Sequence, residues 1–278
     1  IDRNIFLISD IMTMDEFETY NELEEYFSQI YIKLGIEQYN FCYIYSDFRF
    51  FASCMKINVD KDRFCKSIVN PLVNLKKTVI IPTFSYTTEG IFDVEKTSTS
   101  IGTLNSWILR QPSVKRSEHP LFSFAAIGHD SSLVENCGKS AFGKNSIHDN
   151  LRNKKCCFIN IGRPIESGNT IIHNIEQSCN AKYRFNKVFK TSVFKNNKLF
   201  GSNYSAFVRR QDVPGHDFKF NFTRAAKLIY DEGIVNEVGD PTMLSNVSLY
   251  DFDKTREILV KAFLNDTSIF LSKPFTEY

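Results

Sequence analysis

Thr170, His173 and Glu176 recur at steps of three in the stretch Ser167-Gly168-Asn169-Thr170-Ile171-Ile172-His173-Asn174-Ile175-Glu176. On an α-helix that spacing gathers them within about 120° of arc on one face. Ser167, Asn169 or Thr170 is a candidate N-cap, which puts His173 in the first helical turn. There the positive helix end disfavours an imidazolium and keeps the ring a neutral base. Glu176, one turn on, is placed to orient the ring, hold its tautomer and stabilise the transient cation once His173 takes a proton. The same residues also read as the exposed polar face of a surface helix, and spacing does not choose between the two.

A second polar cluster is Arg116-Ser117-Glu118-His119-Pro120, ahead of the apolar run 122–127. Its directed donors suit an anionic or amide-rich ligand, although clusters of this kind also finish loops structurally. Gly138-Lys139-Ser140-Ala141-Phe142-Gly143-Lys144-Asn145 nearly spells a phosphate-binding loop. Asn145 stands where a Ser or Thr would hold Mg²⁺, and no strand precedes it, so it reads as a surface turn between short helices. The seven cysteines (42, 54, 65, 137, 156, 157 and 179) are odd in number and contain no CxxC pair. Adjacent Cys156 and Cys157 point to opposite faces of a strand and do not easily share a metal. They read as reduced, mostly buried thiols of a cytoplasmic protein, with no metal site.

The elements that must position these residues alternate. A capping box at Thr13-Met14-Asp15-Glu16 opens a helix with apolar positions Phe17, Tyr20, Leu23, Phe27, Ile30 and Leu34, which Gly35 ends. Phe41-Cys42-Tyr43-Ile44-Tyr45 reads as a buried strand. Phe64, Ile68, Leu72 and Leu75 predict a helix that Pro71 must kink or divide. Thr78-Val79-Ile80-Ile81, ended by Pro82, is another buried strand. Residues 156–161 form a further strand, and a helix begins near Thr170. Such alternation predicts an α/β layer architecture. Segments 187–194 and 199–209 flank Lys195-Asn196-Asn197-Lys198 and predict an antiparallel hairpin. Further helices are expected at 218–231 and 253–264, the second carrying an Ile258, Leu259, Ala262, Phe263 stripe. No repeat or Gly/Ser/Pro-rich linker interrupts the chain, so a single domain over 1–278 is expected.

Composition narrows the function. The 278 residues are 42% hydrophobic and 24% charged, which excludes a disordered chain. The 34 basic and 32 acidic residues leave a net +2, too balanced for nucleic-acid binding through bulk charge. Twenty-six Phe and 12 Tyr demand a large buried core. No apolar run approaches the roughly 18 residues of a membrane span. The opening Ile1-Asp2-Arg3-Asn4 lacks the cationic and apolar segments of a signal peptide and, without Met, reads as a trimmed chain or a piece of a longer one.

Taken in order, these stretches resemble the aminoglycoside 3-N-acetyltransferase family. The matching positions are Ile81-Pro82-Thr83-Phe84, Phe92-Asp93, 97–102, Pro112, Arg116-Ser117-Glu118-His119-Pro120, Ser123, Gly128 and Phe142-Gly143-Lys144-Asn145-Ser146. They continue through 159–162, Thr170, His173, Glu176 and Tyr183-Arg184, so residues 79–190 are covered well and the flanks in outline. The resemblance implies an α/β/α-layered domain with a mixed central sheet and an acyl-CoA-dependent N-acyltransferase, most simply an acetyltransferase using acetyl-CoA, monomeric or homodimeric. It assigns catalysis to His173 and Glu176. Contacts to acyl-CoA fall to Arg116, Ser117, Ser46, Gly102 and Leu104, and contacts to a cationic acceptor to Asp93, His119, Thr170 and Asp217.

Two departures bear on the substrate. Tyr45-Ser46-Asp47-Phe48 replaces the family's His-Ser-Ser-Leu-like segment, and Ser106 and Leu109 replace a Glu and an Arg after Gly102. They turn the expectation from an aminoglycoside-resistance enzyme toward one acting on another amino sugar, such as a nucleotide-linked or surface-glycan sugar. Two other N-acyltransferase architectures are disfavoured, because the chain has no Arg/Gln-x-x-Gly-x-Gly loop and no hexapeptide repeat. The competing readings are a Cys hydrolase or transferase using Cys179 or Cys54, and a non-catalytic amino-sugar-binding relative.

Overall fold

The structure is a computed structural model and describes residues 5–6, 17–211, 218–239 and 245–275. Its first half runs β1 (Ile5–Phe6), α1 (Tyr20–Lys33), β2 (Phe41–Ser46), α2 (Arg49–Ser53), α3 (Lys61–Asn74), β3 (Thr78–Pro82), β4 (Ile91–Asp93), α4 (Thr103–Ile108), β5 (Lys115–Arg116) and β6 (Phe124–Ile127). The second half adds α5 (Ile147–Asn150), β7 (Cys156–Ile161), α6 (Ile171–Ser178), β8 (Arg184–Phe189), β9 (Ser192–Lys195), β10 (Lys198–Gly201) and β11 (Tyr204–Arg209). It closes with α7 (Thr223–Asp231), β12 (Val235–Val238), β13 (Val247–Asp251) and α8 (Phe252–Asn265).

The first helix shows how local chemistry sets the boundaries. Thr19, not Thr13, caps α1: its hydroxyl accepts from the Glu22 N–H at 3.2 Å, and the Glu22 carboxylate accepts from the Glu18 N–H at 2.8 Å. This is a variant of the capping box six residues later than expected, with Glu22 reaching one residue past the cap to the Glu18 N–H, and Thr13-Met14-Asp15-Glu16 lies outside the described residues. Gly35, at φ 82°, stops the helix because a side chain is strained in that left-handed conformation. Pro71 does not divide α3. It lies in the last turn, where its missing N–H removes a single rung of the ladder, and the helix stays continuous. Asp60 secures the other end by accepting from the Asp62 and Arg63 N–H groups, each at 2.9 Å.

The central sheet is mixed, in the order β1-β12-β13-β7-β2-β3-β6-β5. Strand β2 lies between β7 and β3 and runs parallel to both, with Phe41 opposite Cys156 and Ser46 opposite Ile161. Period-two alternation then divides the strands between two cores. Cys42, Ile44, Val79, Ile81, Cys157 and Ile159 pack under α1, α3 and α4. Phe41, Tyr43, Ile80, Cys156, Phe158 and Tyr250 pack under α6, α7 and α8. The result is the expected α/β/α layering, and Cys156 and Cys157 do face opposite layers. All seven cysteines are free thiols.

The hairpin is longer than the sequence predicted. It starts at Arg184, pairs Arg184 with Arg209 and Phe189 with Tyr204, slips by a bulge between Leu199 and Gly201, and turns at Asn196-Asn197. Both asparagines are left-handed (φ 53° and 57°), as a tight primed turn requires. Strand β4 joins its tip in parallel through β9. Helix α7 begins at Thr223, five residues later than expected. No helix among the described residues is long and apolar enough to cross a membrane.

Parallel β2, β3 and β7 deliver their carboxyl ends, Tyr45-Ser46, Pro82 and Ile161-Gly162, to one rim. Open α/β sheets place ligands at such a rim, where the loops leave the strands.

Candidate active site

A cavity of about 670 Å³ opens at that rim. Tyr45, Ser46, Pro82 and Phe84 reach it from β2 and β3, while Arg163, Asn169, Thr170 and His173 come from the segment after β7. Phe207 and Arg209 are supplied by the hairpin.

Helix α6 sets His173. Asn169 is the side chain that caps it, accepting from the Ile171 N–H at 3.1 Å, while Thr170 occupies the cap position without capping. His173 Nδ1 meets Glu176 Oε2 at 2.9 Å. Three groups hold that carboxylate in turn: His173, the Tyr183 hydroxyl donating to Oε1 at 2.8 Å, and Arg184 Nε at 2.8 Å from Oε2. Glu176 is 1% exposed and His173 26%. Burial pushes the Glu176 carboxyl up, but His173, Arg184 and Tyr183 outweigh it and hold it below the ordinary carboxylate range. Burial also lowers His173. Glu176 partly restores it, and the Arg184 and Arg209 charges push it down again, so the ring sits below its ordinary value. At neutral pH it is therefore an uncharged base. Nδ1–H donates to an ionised Glu176, which leaves the Nε2 lone pair as the ring's proton acceptor. Phe142 packs over the ring at 4.9 Å between centroids. The polar-face expectation for 170, 173 and 176 thus resolves into one partly buried base at the cavity and one buried carboxylate behind it.

Thr170 is a hub. Its hydroxyl lies 2.8 Å from Tyr43 OH, 2.9 Å from Tyr45 OH and 2.9 Å from His148 Nε2, and its N–H donates to Tyr45 OH at 3.0 Å. His148 is fully buried, its Nδ1 has no partner, and burial with the nearby His173 pushes it down to about 3. Neither Tyr43 nor His148 stood out in the sequence, and Tyr45 did so only as the first residue of the segment that departs from the family pattern. The aromatic run 41–45 signalled only a strand, whereas Ser146, which caps the short helix α5 through the Asp149 N–H, was a local sign of the helix bearing His148.

The Arg116–Pro120 cluster is internal. Arg116 is 5% exposed, and its guanidinium is spent on Ser123 Oγ at 3.2 Å, Val94 O at 3.2 Å, Thr83 O at 3.0 Å, and Thr97 O. It also sits 4.8 Å from the Phe92 ring centroid. Ser117 accepts from the Phe124 N–H at 2.8 Å. His119 Nδ1 accepts from the Leu121 and Phe122 N–H groups, which assigns Nε2–H to the Ser205 carbonyl at 3.0 Å. Burial pushes this His down to about 4. Asp93 caps a turn by accepting from the Glu95 and Lys96 N–H groups, each at 3.0 Å. None of these four lines the cavity. The expected direct contacts of Arg116 and Ser117 with acyl-CoA, and of Asp93 and His119 with the acceptor, are corrected accordingly: their polar atoms are spent on the loops that frame the rim. Asp217 lies outside the described residues.

Arg116→Lys is expected to cost about 2 kcal/mol of stability, since an ammonium cannot satisfy three separated carbonyls and buried acceptors are left bare. Urea denaturation measures this. The Michaelis constant for acyl-CoA of the folded variant should stay within about twofold, and a several-fold rise would return Arg116 to the ligand.

Ser46 and Gly102 line both the main cavity and an adjoining one of about 420 Å³, whose walls include Leu104, Phe48, Phe64 and Lys61. Gly102 is required there: at φ 51°, an added Cβ would come within 1.9 Å of Asn105 Oδ1 at the start of α4. The three expected positions therefore share one connected space. Of the substitutions after Gly102, neither Ser106 nor Leu109 lines the main cavity. Among the described residues no histidine pairs with a thiol: the hydrogen bonds of His119, His129, His148 and His173 go to peptide, hydroxyl or carboxylate groups and none to sulfur. No cluster of three potential metal ligands occurs among the described residues.

A family model described as aminoglycoside 3-N-acetyltransferase matches residues 73–252. A search of curated proteins gave no match. Among solved structures, AAC-VIa bound to sisomicin is 16% identical, with a TM-score of 0.68 over 89% of this chain and 97% of that one. AAC-IIIb in a binary complex with CoASH is 14% identical, with a TM-score of 0.69 over 94% of this chain and 100% of that one. The YokD protein from Bacillus subtilis is 15% identical, with a TM-score of 0.68 over 87% and 99%. At these identities the likeness is one of fold.

Proposed function

The chain belongs to the aminoglycoside 3-N-acetyltransferase family, a family of CoA-dependent N-acyltransferases, and from that premise we propose that it moves an acyl group directly from acyl-CoA to the amine of an amino sugar, with His173 as general base. The observation that carries the proposal is the His173–Glu176 pair, whose neutral ring turns its free nitrogen to the cavity while Nδ1 is held by an ionised carboxylate.

An amine must lose a proton to complete its attack on a thioester. As the new C–N bond forms, His173 Nε2 takes that proton and Glu176 stabilises the imidazolium. Collapse of the tetrahedral adduct breaks the C–S bond, and the same proton passes to the departing CoA sulfur. The ring returns neutral, and no acyl-enzyme is formed.

The smaller cavity suits the CoA arm. Its walls are largely apolar, Lys61 supplies a cation, and its boundary with the main cavity at Ser46 and Gly102 leads toward His173. The acceptor takes the larger space, where Phe84, Tyr86 and Phe122 offer faces to a sugar ring.

A thiol-release assay with acetyl-CoA and longer acyl-CoAs against a panel of amino sugars tests this reading. Thiol release is expected only when an amine is present, with N-acylated sugar formed in equal amount. Release that is indifferent to the amine would make the protein a thioesterase, and no release with any pair would leave a binding module. An aminoglycoside such as sisomicin belongs in the panel, since its turnover would place the chain with the resistance enzymes.

A further inference from the structure

Three arginines, Arg163, Arg184 and Arg209, line the main cavity, and no Asp or Glu lines it among the described residues. Arg184 is neutralised by Glu176. The other two form no ion pair with any described carboxylate. Arg163 follows β7; its Nη2 donates to the Ser167 carbonyl at 3.0 Å, and its guanidinium lies 5.1 Å from the Tyr45 ring centroid. Its Nη1 is shut off from solvent and has no hydrogen-bond partner. Arg209 ends β11; its Nη1 donates to the Phe218 carbonyl, and its charge is felt at His173. Two guanidiniums that line the rim beside the base, with no described carboxylate to neutralise them, are poorly suited to a polycation and well suited to an anion.

We propose that the acceptor carries, besides its amine, an acidic group, a phosphate or carboxylate, that Arg163 and Arg209 bind. This rests on the transferase reading of the same cavity and names the class of its substrate. An anion there has two possible sources, the acceptor itself or the diphosphate of CoA. The acceptor is favoured because Arg209 comes from the hairpin, beside Phe207 and Phe220, and neither arginine lines the smaller cavity. Forked guanidinium contacts also fix orientation, so the acid group would aim the amine at His173 Nε2.

Calorimetry on the full chain saturated with CoA provides the test, with glucosamine, glucosamine 1-phosphate, glucosamine 6-phosphate and sisomicin as probes. At least one phosphosugar is expected to bind about tenfold more tightly than glucosamine, the effect of one good charge-assisted contact, and more tightly than sisomicin. In Arg163→Gln/Arg209→Gln that advantage should shrink to within about twofold, while CoA affinity changes by less than about threefold. Arg209→Lys should retain part of it, which separates lost charge from lost packing. Equal binding of glucosamine and both phosphosugars, tighter binding of sisomicin, or an advantage untouched in the double variant would overturn the proposal. A collapse of CoA affinity with the advantage intact would assign the arginines to CoA and overturn it too. Thiol release measured in the same samples separates the two readings. Phosphosugar preference without transfer would sink the transferase reading and keep the anion site; transfer to glucosamine without preference would do the reverse.

Discussion

His173→Ala should lower turnover by about 10² to 10⁴-fold, the range a positioned general base supplies, while binding of acyl-CoA and the fold are retained. The ring is a quarter exposed and faces the cavity, so its removal empties wall space rather than core. Glu176→Gln should cost less, because an amide keeps much of the geometry and loses only the charge that stabilises the imidazolium. Its fold must be checked beside its rate, since Tyr183 and Arg184 also depend on that carboxylate. The pH profile carries further information. With the His173 pKa held below its ordinary value, the acid limb of kcat/KM assigned to this ring should have its inflection below about 6.5. A His173→Ala enzyme that turns over its true acceptor at nearly the normal rate would refute the mechanism.

Mild acid should destabilise the protein strongly. His119 and His148 are buried as neutral rings, pushed down to about 4 and about 3. In the unfolded chain each titrates near its ordinary value of about 6.5. Below that pH the unfolded state binds protons that the folded state refuses, so stability is full above about pH 6.5 and falls as pH drops toward the folded values. Between pH 7.5 and pH 5 each ring should cost about 2 kcal/mol, or about 4 kcal/mol together. His173 adds to the effect in the same direction. Glu118, raised by burial, opposes it, because a carboxyl with an elevated folded value gains relative stability as it protonates. Urea midpoints across this range measure the slope. A flat profile would mean that these rings are not held as neutral buried bases.

Much of the layer architecture was legible in the chain because short apolar runs have few alternatives. Phe41–Ser46, Thr78–Pro82 and Cys156–Ile161 lie in the sheet interior, and an unbroken apolar run has no exposed face to confuse with a helix stripe. Boundaries set by one side chain were less legible. Thr13 and Thr19 both precede a glutamate by three residues, and only the α1 packing selects Thr19.

The site divides in the same way. Steps of three along α6 determine by themselves that His173 and Glu176 meet, because helix geometry is local and the spacing alone brings Nδ1 to the carboxylate. Sequence likewise determines the Asn196-Asn197 turn, since adjacent left-handed residues suit a two-residue hairpin loop. Tertiary structure alone decided that Arg116, Ser117, His119 and Asp93 serve the framework, because a polar side chain is spent or spare according to the carbonyls folded around it. It alone brought Tyr43, Tyr45 and His148 onto Thr170, more than a hundred residues from the two tyrosines. It also brought Arg209, carried in on a strand with no local signal, to the rim beside Arg163. Charge at a cavity is a sum over distant segments, and no window of sequence contains that sum.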